Sequence, residues 1–598
     1  MDRALSYVLR RLLVLVVGIF VILTAEFVIL RVLPEDPAML ATPRNPYFPV
    51  EDFEEIRAIF AEPLHIQYVE FIGDMLTGEF YMSFWYEQDV SDMIYAPMGR
   101  TLNLFLSTLI ACFVAGTLFA YLTSRLKGHV SRQVLSFLPL TMMAVPIIGW
   151  AWVLSSVFAV QTDLLPIGQY APPGMDPDDP AWTAEYLRHM ILPIASLVMG
   201  SVGMFALAMR DGQTRAAAFS SPERPRLRDG LFVSVPSIQF LVAMSMCFVI
   251  VVDVFFSYRG LGWTLVDALD RVDYFVIQAS VFLISIIVFL TNFAIETVVT
   301  LVRPQRRLDL YMREDLGPQE QEAAAPAHAA QGGTVLGALK ALAKDYLRSP
   351  IGIVSLLVFL GMVALAVVGP MLSSDEIVYP WIYSSTDLFL DGATSMVAVP
   401  VLAAIVASAI GLVLGLTMGL IRPYADGLVA GVMQGLMAIP LVCLALILAL
   451  SRLTGLGSDP MGYVRASLEF AVPIVAIVTL AVCHGFVSAR RRVAVPGSGS
   501  VMGAPPVRYG PAAASWTLGA LKYGVPMTAI AVFVCDFLQI TDLGSWGYSV
   551  GFAYMRNMLM TGDLEYVLMP LIGTFLLVGS MFLVLDTLDR VVRTRFAH

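Results

Sequence analysis

At 598 residues the chain is too long for one ordinary domain, and it is 58% hydrophobic and only 14% charged. Soluble proteins average roughly 45–50% apolar and 25% charged residues, so these figures exclude a soluble globular protein and indicate a polytopic membrane protein. The net charge of −10 says little about partners, because charges divide between the two sides of a membrane.

Arg3, Arg10 and Arg11 precede an apolar run from about 12 to 33. It is about 20 residues long with no small-residue cleavage site after it, so a retained first span with a cytoplasmic N-terminus is expected. Residues 34–98 carry thirteen acidic side chains against Arg44 and Arg57, and read as a small folded extracytoplasmic insert. Further apolar runs follow at about 101–124, 134–160, 189–209, 231–256 and 276–302. Basic residues recur after every second run: Arg125, Lys127 and Arg132, then the cluster from Arg210 to Arg228, then Arg303, Arg306 and Arg307. Six spans with both ends inside satisfy the positive-inside rule over 1–308.

Residues 309–337 are polar, rich in Ala, Gln and Gly, and read as a flexible cytoplasmic linker. A short basic amphipathic helix over 338–348 follows, either a lead-in to the next span or a segment lying on the anionic leaflet. The second half, 338–598, has apolar runs at about 351–371, 395–421, 428–451, 469–488, 516–540 and 566–587. Arg422, Arg490–Arg492, Arg590, Arg593 and Arg595 again fall inside. The expected fold is all-α, with twelve transmembrane helices arranged as two six-helix repeats.

The halves echo one another. Met143-Ala144-Val145-Pro146 answers Met437-Ala438-Ile439-Pro440, and small residues stripe both preceding runs, GTLFAYLTSR (116–125) and GLVLGLTMGLIR (411–422). Parallel repeats imply a pseudo-twofold axis along the membrane normal with a pathway at their interface. Met143, Pro146, Met437 and Pro440 either bend two spans and line that path or are simple kinked packing. Intramembrane charges are few: Glu26, Arg31, Asp253, Asp536 and Glu296. Arg31 is expected to reach the interface, and Glu26 to find an interhelical partner or a functional role. Asp253 and Asp536 occupy comparable places and either brace the external loops after them or receive a binding protein.

Cys112, Cys247, Cys443, Cys483 and Cys535 all lie in apolar runs without ligand spacing, and the six histidines are scattered, so no metal site is expected. No GxxxxGK[ST] loop and no nucleophile–base constellation occurs. The chain is therefore expected to have no catalytic residues, to hydrolyse no ATP itself and to bind no nucleic acid.

Several segments resemble the permease subunits of peptide-type (oligopeptide, dipeptide, nickel) ABC importers, with both subunits fused in one chain. In the first half these are YVLRRLLVLV (7–16), LPEDPA (33–38), LTGEF (76–80), RTLNLFLSTL (100–109), LLPIGQY (164–170), LRHMILP (187–193) and DVFFSYRGLG (253–262). In the second they are YLRSPIGIVSLLVFL (346–360), GLTMGLIRPYADGLVAGVMQGLMAIP (415–440) and SWG (545–547). The resemblance implies ATPase subunits on the cytoplasmic side, a solute-binding protein outside, and passage by alternating access in the inner membrane of a prokaryote. ATP would then act only through the separate ATPase.

It also implies a coupling helix with a Glu-Ala-Ala pattern in the loop after span four of each half. Here the loops depart from the pattern. Arg215-Ala216-Ala217-Ala218 lacks the Glu and is followed by Pro222 and Pro225. The second loop, with Arg508, Tyr509 and Gly510 near its end, is broken by Pro496, Gly497, Pro505, Pro506 and Pro511. Either these are divergent docking elements for an ATPase, or the permease fold is kept as a membrane scaffold without ATP-driven transport. An ion-coupled carrier is the third option, weakened by the scarcity of midplane carboxylates.

Overall fold

A computed structural model describes residues 3–32, 38, 50–83, 85–125, 129–217, 227–302, 335–372, 385–420, 423–439, 467–468, 470–482, 510–538, 545–555 and 565–596. Among these, nine helices are long and apolar enough to cross a membrane, and two more helices bent by 89° at their junction make up a tenth candidate span.

The first half begins with α1 (Arg3–Phe27), which loosens into a π-turn at Val28–Val32. Outside the membrane follow α2 (Val50–Ala61), α3 (Leu64–Thr77) and a two-residue antiparallel pair, β1 (Met82–Ser83) with β2 (Gln88–Asp89). That pair amends the all-α expectation. α4 (Val90–Arg125) then runs unbroken through residue 98 and the apolar run after it. Next come α5 (His129–Ala144), α6 (Ile147–Ser155), α7 (Trp182–Ala217), α8 (Leu227–Phe255), the short α9 (Leu261–Asp270) and α10 (Tyr274–Val302).

The second half holds α11 (Val335–Tyr346), α12 (Pro350–Leu372), α13 (Ser385–Leu420), α14 (Pro423–Ala438) and α15 (Phe470–Val482). It ends with α16 (Gly510–Phe537), the short α17 (Trp546–Met555) and α18 (Glu565–Phe596). The expected spans at 428–451 and 469–488 lie partly outside the described residues. Gly510 and Pro511, read from the sequence as breakers, open α16 instead. Proline is tolerated in a first helical turn, where its missing N–H would have no partner anyway.

Burial sorts the spans. In their most apolar windows 89% of the residues are buried in α8 and 94% in α16, against 33% in α1 and 22% in α12. α8 and α16 therefore form the centre, where they touch across the two halves. On one flank α14 packs on α1 and α10; on the other, α18 packs on α5. Glycines set the first of these contacts. A Cβ on Gly435 would lie 2.9 Å from the Gly18 carbonyl, and one on Gly431 would lie 3.0 Å from Val17 Cβ. Without a hydrophobic drive between helices in lipid, such close backbone approach is what holds spans together.

The insert is tied to the first half by buried polar contacts. Arg31 does not reach the interface as expected. It is buried under the insert, with its guanidinium 5.8, 5.2 and 5.7 Å from the ring centres of Phe27, Phe60 and Phe71. Aromatic faces attract a desolvated cation, so the three rings stabilise it where water cannot. Ser83 donates a hydrogen bond to Asp273, and Tyr86 Oη donates to Asp267 Oδ2 at 2.5 Å. Arg271 pairs with the same Asp267 at 3.2 Å and lies against the rings of Trp85 and Tyr86. Burial and the Asp267 hydrogen bond push the Tyr86 hydroxyl from its usual 10 up to about 12.

Two outcomes are expected. Gly435→Val lowers the thermal unfolding midpoint in detergent, by an overpacking cost of about 1–3 kcal/mol. Gly361→Val, where a Cβ meets nothing within 4 Å, leaves the midpoint in place. An equal fall in both would show that the α1–α14 approach is not special. For the insert, the raised hydroxyl keeps its stabilising contact below pH 10 and loses it as pH rises through about 12. Protease protection of residues 50–89 should follow that course, and Tyr86→Phe should remove the alkaline step at a cost of about 1 kcal/mol.

Candidate functional site

The residues singled out from sequence fall in three places: the bend after α5, the turns that follow α8 and α16, and the C-terminal end of α7 with the N-terminal end of α16.

At the bend, Pro146 has no N–H to give the carbonyl of Met142. The Trp150 indole Nε1 donates to that carbonyl at 3.2 Å, so the break leaves no buried orphan there. Met143 and Pro146 are buried, and α5 approaches α7 through Gly203, where a Cβ would lie 3.0 Å from Met143 N. Met437 is fully buried near the end of α14, and Pro440 lies outside the described residues. In this conformation Met143, Pro146 and Met437 are packed between helices.

The external turns repeat one another in atomic detail. Asp253, fully buried at the end of α8, accepts hydrogen bonds from Gly260 N at 3.1 Å and Gly262 N at 3.0 Å. Thr101 supports both groups: its hydroxyl donates to Asp253 at 3.4 Å and accepts from Leu261 N at 2.8 Å. These N–H groups open α9, where the helix dipole favours a carboxylate. Asp536, equally buried at the end of α16, accepts from Ser545 N at 2.5 Å, at the entry to α17. In each half the carboxylate reaches nine residues ahead, to the residue before a tryptophan, Trp263 or Trp546. Both turns also need a glycine. A Cβ on Gly262 would lie 2.6 Å from Ile250 Cα, and one on Gly547 would run into the Phe533 carbonyl. In the second half Trp546 is locked further, donating to Phe389 O at 2.7 Å and stacking on its ring at 4.9 Å.

Of the coupling-loop residues, Arg215, Ala216 and Ala217 form the last turn of α7, and Gly510 opens α16. Ala218, Arg508 and Tyr509 lie outside the described residues. Beside these ends the structure adds charges that the sequence reading left out. Lys522, on α16, is buried with Asp211, Asp586 and Asp589 around it. A lysine inside an apolar run, and the i, i+4 pairs Asp586–Arg590 and Asp589–Arg593, were the available signals. A second polar node joins α1, α8, α10 and α14. Glu296 pairs with Arg11 at 3.1 Å and accepts hydrogen bonds from Gln434 and, at 3.5 Å, from Gln239. Arg11 also donates to Phe293 O at 2.8 Å and to Thr297 Oγ1 at 2.5 Å.

Glu26 contradicts its expected interhelical pairing. It is buried in α1, and neither carboxyl oxygen has a hydrogen-bond partner among the described residues. Those residues include no cluster of three or more His, Cys, Asp or Glu able to hold a metal ion. Cys112, Cys247 and Cys535 are buried and form no disulfide among the described residues, and Cys443 and Cys483 lie outside the described residues.

Residues 4–95 match the family described as "Binding-prot-dependent transport system membrane comp, N-term". A probable peptide ABC transporter permease of Sinorhizobium fredii is 28% identical over 322 residues, which is 50% of this chain and 99% of that protein. A di/tripeptide transport system permease of Pseudomonas aeruginosa is 23% identical over 334 residues, covering 51% of this chain and 99% of its own. The glutathione transport system permease of Escherichia coli is 24% identical over 320 residues, with coverages of 51% and 99%. Half of the chain is thus similar, across almost the full length of each relative, to one permease subunit. The chain is an ABC-transporter permease, a multi-pass membrane protein and not itself an enzyme. The half of the chain that these matches cover is similar to permease subunits of binding-protein-dependent transport systems.

Removing either external carboxylate tests the turns. Asp253→Ala and Asp536→Ala should each cost about 1–3 kcal/mol by leaving buried N–H groups unpaired. Amide exchange should speed up at Gly260 and Gly262 in the first variant and at Ser545 in the second. Acceleration elsewhere, with these amides unchanged, would show that the carboxylates do not hold the turns.

Proposed function

We propose that the chain is both permease subunits of a peptide-type ABC importer in one polypeptide: a first half at 1–308, a cytoplasmic linker at 309–337 and a second half at 338–598. Each half contributes six spans, twelve in all. The chain sits in the inner membrane of a prokaryote with both termini in the cytoplasm. ATPase subunits bind inside and hydrolyse the ATP, while a solute-binding protein delivers peptides or similar small solutes outside. The substrate passes between the halves by alternating access, with Met143, Pro146, Met437 and Pro440 placed to line the path when the halves part.

The observation that carries this reading is the repeated external turn. Curated relatives account for only half of the chain. The Asp253–Gly262 contact nevertheless has a counterpart in Asp536–Ser545, each followed by a tryptophan at the start of a helix. That supports a second half built on the plan of the first. The exchange of neighbours across the centre, α14 on α10 and α18 on α5 around the α8–α16 pair, adds to it. Asp253 and Asp536 are read as braces of the external turns.

A second reading, a permease-derived scaffold or assembly subunit without ATP-coupled transport, has its own support. The stretch after Arg215 includes Pro222 and Pro225 but no Glu-Ala-Ala pattern. Reconstitution separates the two. The chain, together with an ABC ATPase and a solute-binding protein recovered with it from the native membrane, should take up a labelled peptide into proteoliposomes only with ATP. Stable assembly with no ATPase recovered from the native membrane would decide for the scaffold.

A further inference from the structure

The charged cluster beneath the central helices joins the two halves at one residue. Lys522 is 1% exposed, and its Nζ lies 3.0 Å from Asp211 Oδ1, 3.1 Å from Asp586 Oδ1 and 3.5 Å from Asp589 Oδ2. Arg593 lies 3.3 Å from Asp211 and 2.8 Å from Asp589, and Arg590 lies 3.1 Å from Asp586. Ser515 donates to the remaining oxygen of Asp589 at 3.0 Å. Five of the six charged groups belong to α16 and α18; Asp211, on α7, is the first half's sole contribution to these ion pairs.

The charge balance gives Asp211 its weight. Without it, Lys522, Arg590 and Arg593 face only Asp586 and Asp589, and Arg210 of the first half adds a further positive charge near Asp586. Lys522 is closed off from water, so each carboxylate around it matters more than it would at the surface. The second half therefore presents an excess of positive charge at this seam, and Asp211 meets it at Lys522 and Arg593 while the halves are together. Asp211 also lines the narrow cleft between the halves, with Ala208 and Ser234 on one side and Ile477, Trp516 and Ala520 on the other. It lies one helical turn before Arg215, the start of the loop on which the coupling argument rests. A pull on that loop acts on Asp211 along a continuous helix.

We propose that Asp211 is a latch between the two halves: its ion pairs with Lys522 and Arg593 hold the cleft between them closed, and breaking these pairs opens it. The role in opening rests on the permease reading; the closure itself does not. The cluster acts through charge at the seam and makes no contact with a transported molecule, so Asp211 is a positioning residue.

The test uses the full chain in inside-out membrane vesicles, with its native cysteines replaced by alanine and Ala520→Cys as a reporter in the cleft. Neither ATPase nor substrate is added. A membrane-impermeant maleimide should label the reporter slowly when Asp211 is present. Asp211→Asn should speed labelling roughly tenfold, matching the loss of one charged hydrogen bond. Asp211→Glu should restore the slow rate, which a merely shape-filling role would not require. Arg593→Gln, which leaves Lys522 paired with all three carboxylates, is the second probe and decides the matter if Asp211→Asn fails to accumulate; faster labelling is expected there too. Unchanged labelling in every variant that accumulates overturns the latch and leaves the transport assay standing. Asp211-dependent labelling in a chain that fails to transport would keep the latch as a clamp between the halves and remove its role in opening.

Discussion

Inside a bilayer each polar atom has to be answered by the protein, because no water is there to do it. In this chain several answers come from the opposite half. Glu296 of the first half takes a hydrogen bond from Gln434 of the second, and Lys522 of the second takes Asp211 of the first. Both nodes are polar, whereas the contact between α1 and α14 is made by glycines and valines. Apolar packing sets how closely the halves approach, and the polar nodes set their register. Between them they leave little freedom for one half to slide on the other.

The outer face is organised differently, each half answering its own needs. Asp253 and Asp536 turn the chain back into α9 and α17 by meeting N–H groups nine residues ahead. The insert is then anchored on the first of these turns through Asp267, Arg271 and Asp273. Arg31 sits beneath that anchor in its aromatic surround. Glu26 is the exception, buried with no hydrogen bond to either oxygen among the described residues. A carboxyl in such a place is a cost that the packing around α1 has to carry.

Much of this architecture could be read from the sequence because its cause is one-dimensional. An apolar run of about 20 residues and the side on which arginines fall are properties of a string, and they placed nearly every described span. Pro146 announced its bend for the same reason. Arg31 was misread because snorkelling was weighed without the insert folding over it. Lys522, Asp586 and Asp589 were passed over because a charge near the end of an apolar run looks like an interfacial residue until its partner is known. That partner, Asp211, is more than 300 residues away in the chain, and no local pattern links them.

The packing of α1 on α14 sets an order of events in biogenesis. Gly18 leaves the ribosome 417 residues ahead of Gly435, the residue it has to meet. At about 5–20 residues per second that is a wait of roughly 20–80 s. Through that interval the groove-facing side of α1, with Val14, Val17 and Val21, has only lipid or an insertion factor to cover it. The first half can thread and dock its insert meanwhile, yet its opening helix stays unpartnered on that side until nearly three-quarters of this chain has been made. Carrying both halves on one polypeptide ensures that the awaited partner arrives, once and in equal number.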